Sequence, residues 1–273
     1  MTEDLATVRS RIRGVRQLDA VIGAMRGIAA AHAQQSRGLL PGVRNYSRVV
    51  AQVTAQVLRL RDVDARSIPG HGDLARIVFC AEQGFVGGFA GHVLAAAAAR
   101  APADVFLLGS RGLLLAPAHG IEPVWQSAMA TQAASISDVC MRLGEALYEW
   151  MTARQFRGVE VVFPTWSGGA GVTVTCESLL PLDQSRFAVV QGVPPLTTLP
   201  LEELWERLAE EYMFATLCEA AIHAFAAEQE ARAAAMVRAR TKVQEMIEEL
   251  ALSEHRVRQE AITAELLELA AAT

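Results

Sequence analysis

Residues 201–273 read LEELWERLAEEYMFATLCEAAIHAFAAEQEARAAAMVRARTKVQEMIEELALSEHRVRQEAITAELLELAAAT, a stretch without proline or glycine. Apolar and small residues recur in it at alternating steps of three and four, the spacing of a coiled-coil seam. Two charged residues, Arg240 and Glu254, interrupt the seam. The pattern predicts one helix, which at about 1.5 Å per residue would be about 105 Å long and would need a partner helix.

The beginning of the chain supplies that partner. Its residues at the same spacing are Leu5, Val8, Ile12, Val15, Leu18, Ile22, Met25 and Ala29. Because the first proline is Pro41, we expect a helix from about Glu3 to Leu39, followed by a transition helix that ends near Leu60. Helices from the two ends of a chain can pair antiparallel, with the rest of the chain inserted between them.

Three glycines, Gly14, Gly23 and Gly27, lie within the first predicted helix. In a helix interior each costs about 1 kcal/mol relative to alanine. Small residues at such positions can instead permit close approach of another helix. The sequence leaves both interpretations open.

The middle of the chain has a different period. Residues 61–73 are charged and rich in glycine and proline, which is typical of a linker. Short apolar runs then alternate with helical stretches, which favours a small, largely parallel α/β sheet. The predicted strands are 75–80, 105–110, 159–164 and 172–176, and the predicted helices are 88–100, a short one to about 119, and 135–155.

Composition narrows the class of protein. The formal net charge is −5, which disfavours a general nucleic-acid binder. The four cysteines are isolated within apolar runs and indicate reduced core residues of a cytosolic protein. No apolar run is long enough to span a bilayer, so we expect a chain that is soluble or at most peripheral to a membrane. Lys242 is the only lysine.

The glycine-rich stretch after Cys80 invites a phosphate-loop interpretation, since backbone N–H groups at a helix start can hold an anion. A Walker loop requires GK[ST], yet Gly87-Gly88 is followed by Phe89. The dinucleotide spacing GxGxxG is also absent. A structural tight turn is the favoured interpretation, and Glu82 has no second carboxylate tied to it by spacing.

Other catalytic or metal-binding patterns are missing. The histidines never stand at a ligand spacing such as HxxxH or HExxH, which disfavours a metal site. Ser110 lies in Gly109-Ser110-Arg111-Gly112, which does not meet GxSxG. The sequence therefore predicts no catalytic residue, no metal and no cofactor. The last turns, 261–272, are apolar on nearly all sides, which indicates that something sheathes this end of the helix.

Several motifs together resemble one family, the gamma subunits of F-type ATP synthases. The run from Glu249 to Thr263 is similar to a signature close to EL-L-YN-ARQ--IT-E. The turn Gln83–Phe89 resembles RGLCGGLN, and Leu108–Gly112 resembles IGSKG. Near the start, Val8–Ile12 is similar to IRSKI. The likeness covers both ends and the middle of the chain in the right order.

The resemblance implies a fold of α/β class plus a long coiled coil, in which antiparallel N- and C-terminal helices carry an inserted Rossmann-like α/β domain. The corresponding ranges here are 1–60, 74–190 and 201–273. It implies a non-catalytic central rotor shaft on the cytoplasmic face of a bacterial membrane. The implied partners are the alpha and beta subunits of the catalytic hexamer, an epsilon subunit and the membrane rotor ring, which ion flow would turn.

The resemblance also implies contact residues. Arg258 and Gln259 match the family's polar catch, which hydrogen-bonds loops of the catalytic ring. Met25 and Arg26 lie where the family faces the beta lever. The apolar tip would turn within a smooth sleeve, and its contact residues are Ile262, Leu266 and Leu269.

Some positions depart from the family. Lysines usual in the family are replaced by Ala20 and Gly23, a glutamate by Arg26, and a glutamine by Ala264. An aromatic and acidic segment that helps to meet the rotor ring is missing before Leu204, which indicates a divergent member. Two other classes stay open: an α/β nucleotide-binding enzyme with coiled-coil extensions, and a passive helical tether or assembly factor. Co-purification with other subunits would separate them.

Overall fold

The computed structural model describes residues 5–60, 72–181 and 197–271. The predicted linker, residues 61–73, lies almost entirely outside these ranges. The last residues assigned to the central domain, 182–190, also lie outside them.

The chain forms two compact units. The first, the coil unit, comprises residues 1–29 and 232–273, and the second, the α/β unit, comprises residues 30–231. Helix α1 (Leu5–Leu60) and helix α5 (Leu201–Ala271) each contribute to both units. The single long C-terminal helix is therefore confirmed.

Within the coil unit, α1 and α5 pack side by side. Val8 and Ile12 share a buried cluster with Leu250, whereas Ile22 shares one with Met236 and Val243. Low residue numbers on α1 thus meet high numbers on α5, so the two helices are antiparallel, as predicted.

Helix α1 does not end before its proline. Pro41 lies inside the helix, so the prediction of an end near Leu39 is wrong. Proline removes one backbone hydrogen bond and crowds the preceding turn. Beyond it, Val43 and Val50 pack into the core of the α/β unit, and this burial offsets the loss.

The three helix glycines have open space where a Cβ would stand. No described heavy atom beyond the neighbouring backbone lies within 4 Å of that position at Gly14, Gly23 or Gly27. The interpretation that they permit close helix approach is thus wrong within the described chain.

The α/β unit contains one five-stranded sheet, with the strand order β3-β2-β1-β4-β5. The strands are β1 (Asp73–Phe79), β2 (Asp104–Leu108), β3 (Pro123–Ser127), β4 (Phe156–Trp166) and β5 (Val172–Leu180). The first three strand pairs along that order are parallel, and β4 pairs antiparallel with β5. Four strands agree with prediction and one, β3, was missed.

Three further helices connect the strands. They are α2 (Phe89–Ala98), α3 (Ser110–Leu115) and α4 (Ile136–Ala153). Short 3-10 turns cover residues 116–119, 133–135 and 168–170, and the last of these joins β4 to β5.

The sheet is buried on both faces. Along β1, Ile77 and Phe79 contribute to a cluster with α1, α4 and α5, and Val78 contributes to a second cluster with α2. Alternate side chains of a strand point to opposite faces, which produces these two layers. In α5, residues 220–231 are buried except at His223 and Glu230, so the coiled-coil seam predicted throughout this helix gives way here to burial on nearly all sides.

Candidate functional site

The seam of the coil unit contains a charged pair. Arg240 Nε on α5 donates to Asp19 Oδ1 on α1 at 3.2 Å. Arg240 was one of the two residues that interrupt the seam, and the structure gives it a partner on the facing helix. Leu18, predicted to lie in the seam, is 48% exposed, so Asp19 rather than Leu18 faces α5.

The second interruption, Glu254, is also paired. Its Oε1 atom accepts from Arg9 Nε on α1 at 2.9 Å and from Arg258 Nη2, one turn further along α5, at 2.9 Å. The hydrogen bond from Arg9, followed by the positive charges of Arg258 and Arg9, lowers the pKa of Glu254. The carboxylate therefore stays ionised between two guanidinium groups.

The predicted lever contacts, Met25 and Arg26, are adjacent but differ in environment. Met25 is partly buried against the cluster of Ile22, Met236 and Val243. Arg26 is exposed. Only part of the Met25 side chain is thus available to another molecule, because the rest belongs to the interior of the coil.

The remaining predicted contacts lie at the end of α5. Gln259 is exposed, and its backbone carbonyl accepts from Thr263 Oγ1 at 2.8 Å. Ile262 is 51% exposed, Leu266 61% and Leu269 62%. Leu267, at 66%, was not predicted as a contact, although it lies in the same apolar run.

This end extends beyond the packed part of the coil. Val257 is the last residue of α5 that is not exposed, among those whose burial the structure describes. It packs against the cluster of Val8, Ile12 and Leu250 near the described start of α1. The apolar tip, residues 261–271, therefore presents its large side chains to solvent in the chain by itself.

The carboxyl ends of β1, β2 and β3 are tied together by one carboxylate. Glu82 Oε2 accepts from the backbone N–H of Ser110 at 3.0 Å and of Met129 at 2.7 Å. Its Oε1 accepts from Ser110 Oγ at 2.7 Å. The hydroxyl of Ser110 thus donates to a carboxylate and is not paired with a histidine in these hydrogen bonds, which agrees with the absence of GxSxG.

A second carboxylate occupies the glycine-rich loop. Glu228, on α5 and 2% exposed, accepts from the backbone N–H of Glu82 at 3.0 Å and of Gln83 at 3.2 Å. In parallel α/β sheets, ligands bind at this edge, and loop N–H groups hold phosphates. Here the chain's own carboxylate takes two of those donors. Sequence reasoning missed Glu228 because nothing in the spacing connects it to Glu82.

A buried arginine is held inside the α/β unit. Arg76, 4% exposed, donates to Glu160 and to the backbone carbonyls of Ala97 and Ala101. Arg100 Nη2 donates to the same glutamate at 3.1 Å. Burial raises the pKa of Glu160, but the hydrogen bonds and charges of the two arginines outweigh it and lower the pKa.

A cavity of about 500 Å³ lies between α1, α5 and the β4–β5 hairpin within the α/β unit. At its wall, Arg44 lies 3.0 Å from His223 Nε2 and 3.7 Å from Glu219. Burial and the charge of Arg44 lower the pKa of His223. Glu219 therefore already supplies Arg44 with a counter-charge inside this cavity.

A metal site finds no support in the part of the chain that is described, and the thiol nearest the glycine-rich loop is buried. No group of three histidine, cysteine or acidic side chains there could hold a metal ion. Burial raises the pKa of the Cys80 thiol to about 12, so it is unreactive at neutral pH. Among residues 5–60, 72–181 and 197–271, no helix has the length and apolar character needed to cross a membrane.

The structure thus defines a class of protein: an antiparallel helical coil with an exposed apolar end, joined to an α/β unit whose ligand edge is filled by carboxylates. Comparison with known proteins specifies the family. A family model described as ATP synthase matches residues 4–273. The ATP synthase gamma chain of Ruminococcus albus is 24% identical over 99% of this chain and 98% of its own length. The ATP synthase gamma chain of Geotalea uraniireducens is 25% identical over 97% of this chain and 96% of its own length.

Solved structures share the fold. The match in the rotor of the Euglena gracilis mitochondrial ATP synthase has a TM-score of 0.65 at 13% identity, over 94% of this chain and 98% of that one. The match in the central stalk and c-ring of the Tetrahymena thermophila enzyme has a TM-score of 0.60 at 16% identity, over 80% and 99%. The chain therefore belongs to the ATP synthase family, is similar to its gamma chains over nearly the whole length, and shares the fold of the matched rotor and central-stalk chains.

Proposed function

We propose that this subunit is a non-catalytic rotor shaft that couples ion-driven rotation of a membrane ring to conformational cycling of catalytic beta subunits. The observation that carries the proposal is the exposed apolar end of α5, where Ile262, Leu266 and Leu269 are each more than half exposed. Isolated proteins rarely expose such a run, so a partner surface covers it. An apolar sleeve offers few directional bonds, which suits rotation.

The α/β unit supports a non-catalytic role. A phosphate placed at the ends of β1 and β2 would meet the carboxylates of Glu82 and Glu228 instead of free N–H donors. These two negatively charged carboxylates would repel the phosphate. The nucleotide chemistry accordingly belongs to other subunits, which argues against the alternative of a nucleotide-binding enzyme.

Transmission of torque needs two helices that do not slide past each other. In the coil unit, Asp19–Arg240 and Arg9–Glu254 join α1 to α5 at two levels, and the packed side chains of Ile12 and Leu250 lie between these levels. Charged pairs of this kind set register in paired helices. A passive tether would have no use for either the fixed register or the exposed apolar end.

The exposed residues of the coil unit are the proposed contacts with other subunits. Arg258 and Gln259 contact loops of the beta subunits, and Met25 with Arg26 contacts the beta lever. The apolar tip turns inside the ring of three alpha and three beta subunits. The α/β unit stands with an epsilon subunit on the membrane rotor ring, at the cytoplasmic face of a bacterial membrane. Supporting this, the matched Tetrahymena chain comes from a structure of a central stalk with its c-ring.

The catch role is tested in the assembled complex with Arg258→Ala. Loss of this hydrogen bond to a beta loop lowers ATP-driven rotation torque and coupled ATPase activity by about twofold, because the bond replaces the pair of Arg258 with Glu254 and the net gain is small. Arg256→Ala, an exposed arginine two residues earlier, is the matched control. Equal coupled activity in both variants would remove the catch role.

The sleeve is tested by replacing Ile262, Leu266 and Leu269 together with glutamine. Because the tip loses its apolar surface, less of this subunit co-purifies with alpha and beta. Leu252→Gln, at a side chain that is 69% exposed but lies before the tip, is the control. In the wild type we expect one copy of this chain for three alpha and three beta subunits; a chain that purifies alone and hydrolyses ATP would contradict the proposal.

A further inference from the structure

The end of the coil unit contains a cluster of three charges. Glu254 and Arg258 lie one turn apart on α5, and Arg9 reaches the same glutamate from α1. Both arginines donate to the same oxygen, Oε1, and both distances are 2.9 Å. The glutamate is the least exposed of the three, at 22%, against 51% for Arg9 and 45% for Arg258.

This geometry means that Arg258 is already occupied in the subunit by itself. Its guanidinium lies back along α5 toward Glu254, away from the exposed apolar tip. Any acceptor on another subunit must compete with Glu254 for it. The contact that Arg258 makes with a partner is therefore an exchange of one acceptor for another.

We infer that Glu254 is a positioning residue for the catch: it holds Arg258 between engagements and limits how tightly a partner acceptor can retain it. The inference rests on the proposed contact of Arg258 with the beta subunits. The partner group is an anionic or carbonyl oxygen, because a guanidinium has only donors to offer.

Arg9 is what makes the exchange easy to reverse. When a partner oxygen takes Arg258, Glu254 keeps its bond to Arg9 and is not left without a counter-charge. Exchange between two similar ion pairs has a small net free energy, since an exposed i,i+4 pair is itself weak. A rotor benefits from this balance because it must leave each stopping angle as readily as it reaches it.

The test is single-molecule rotation of the assembled complex, with the dwell at the catch angle as readout. Glu254→Gln weakens the internal competitor by removing its charge, so the dwell lengthens by about twofold. Arg9→Gln leaves Glu254 entirely to Arg258, so the dwell shortens by about twofold. Opposite signs from two partners of one ion pair are not expected if the pair only stabilises the coil.

Two further variants separate the explanations. Asp19→Asn weakens the coil at a pair remote from Arg258 in sequence, and the catch dwell stays unchanged. In an Arg258→Ala background, Glu254→Gln has no effect on the dwell. A lengthening that persists in that background, or an unchanged or shorter dwell in Glu254→Gln alone, overturns the inference while the catch role of Arg258 stands. If Arg258→Ala by itself leaves the dwell unchanged, both the catch role and the inference fail.

Discussion

The coil unit and the α/β unit use charge in opposite ways. In the coil unit the ion pairs are partly exposed, with Asp19 at 25% and Arg240 at 38%. In the α/β unit, Arg76 is 4% and Glu160 12% exposed. Exposed pairs contribute little to stability but can set register, whereas a buried charge without its partner is strongly destabilising. Arginine and acidic residues therefore set the register of two helices in the coil unit, whereas they stabilise the interior of the α/β unit.

The apolar core of the coil unit is also smaller than that of the α/β unit. The coil unit has two small clusters, one around Val8 and Leu250 and one around Ile22 and Met236. The α/β unit buries a sheet on both faces. Since burial of apolar area is the dominant favourable term in folding, we expect the α/β unit to hold most of the stability.

Glu160→Gln is the substitution that we expect to destabilise the chain most. The amide keeps one acceptor oxygen but leaves the buried Arg76 guanidinium without the negative charge of its partner, so the free energy of unfolding falls by about 3 kcal/mol. Denaturant unfolding of the purified chain measures the change. Glu122→Gln, at an exposed glutamate of the same unit, is the control and stays within about 0.5 kcal/mol. Equal effects would mean that Arg76 does not depend on its partner.

The pH dependence of stability tests the same ion pair of Arg76 and Glu160. The pKa of Glu160 is lowered in the folded chain from its ordinary value of 4.5, so its contribution to stability is present above that pH and is lost as pH falls through the folded pKa. The difference in unfolding free energy between wild type and Glu160→Gln therefore shrinks as pH is lowered from 5. A difference that grows on acidification would contradict the assignment.

A smaller effect is expected from Glu228→Gln. The amide keeps one oxygen for the N–H groups of Glu82 and Gln83 but loses the charge assistance, which costs about 1.5 kcal/mol. Hydrogen exchange of the Glu82 and Gln83 amides quickens at the same time. Glu206→Gln, exposed on the same helix, changes neither quantity. Unaltered exchange in Glu228→Gln would show that these amides are protected by something else.

The smallest effect belongs to the coil unit. Asp19→Asn removes a partly exposed pair with Arg240, so unfolding changes by only about 0.5 kcal/mol. Thermal unfolding followed by helical circular dichroism is the measurement, with the exposed Glu248→Gln as control. A loss as large as that of Glu160→Gln would erase the distinction between the two units.

Much of the fold could be predicted because its signals are local and repeated. The alternation of three and four along α5 persists over many turns. Strands β1, β2 and β4 contain short continuous apolar runs, and β5 begins with valines that alternate with threonines. Strand β3 escaped notice because it starts at Pro123, pairs only with β2 and has no buried residue. A short edge strand of this kind has no distinctive period.

The errors in the predicted positions of Leu18 and Pro41, and the failure to predict Glu228, have a different cause. Each of these positions is decided by tertiary contacts. Leu18 and Asp19 are adjacent, and the apolar one was assigned to the seam, yet Arg240 on the facing helix selects the acid. Likewise Pro41 is tolerated because packing on either side of it supports the helix. Glu228 meets Glu82 from far along the chain. Each needed the partner side chain, which no single stretch of sequence reveals.

The solitary lysine gives the coil unit a chemical handle. Lys242 is 81% exposed, and its Nζ donates to Glu245 Oε2 at 2.7 Å. The hydrogen bond and the charge of Glu245 raise the pKa of Lys242, so its amine is acylated slowly at neutral pH and faster in mild alkali. Amine-reactive reagents can therefore label one side chain of this polypeptide, Lys242, at a known position along α5. Protection of Lys242 from labelling in the assembled complex would show that other subunits cover α5 at this position.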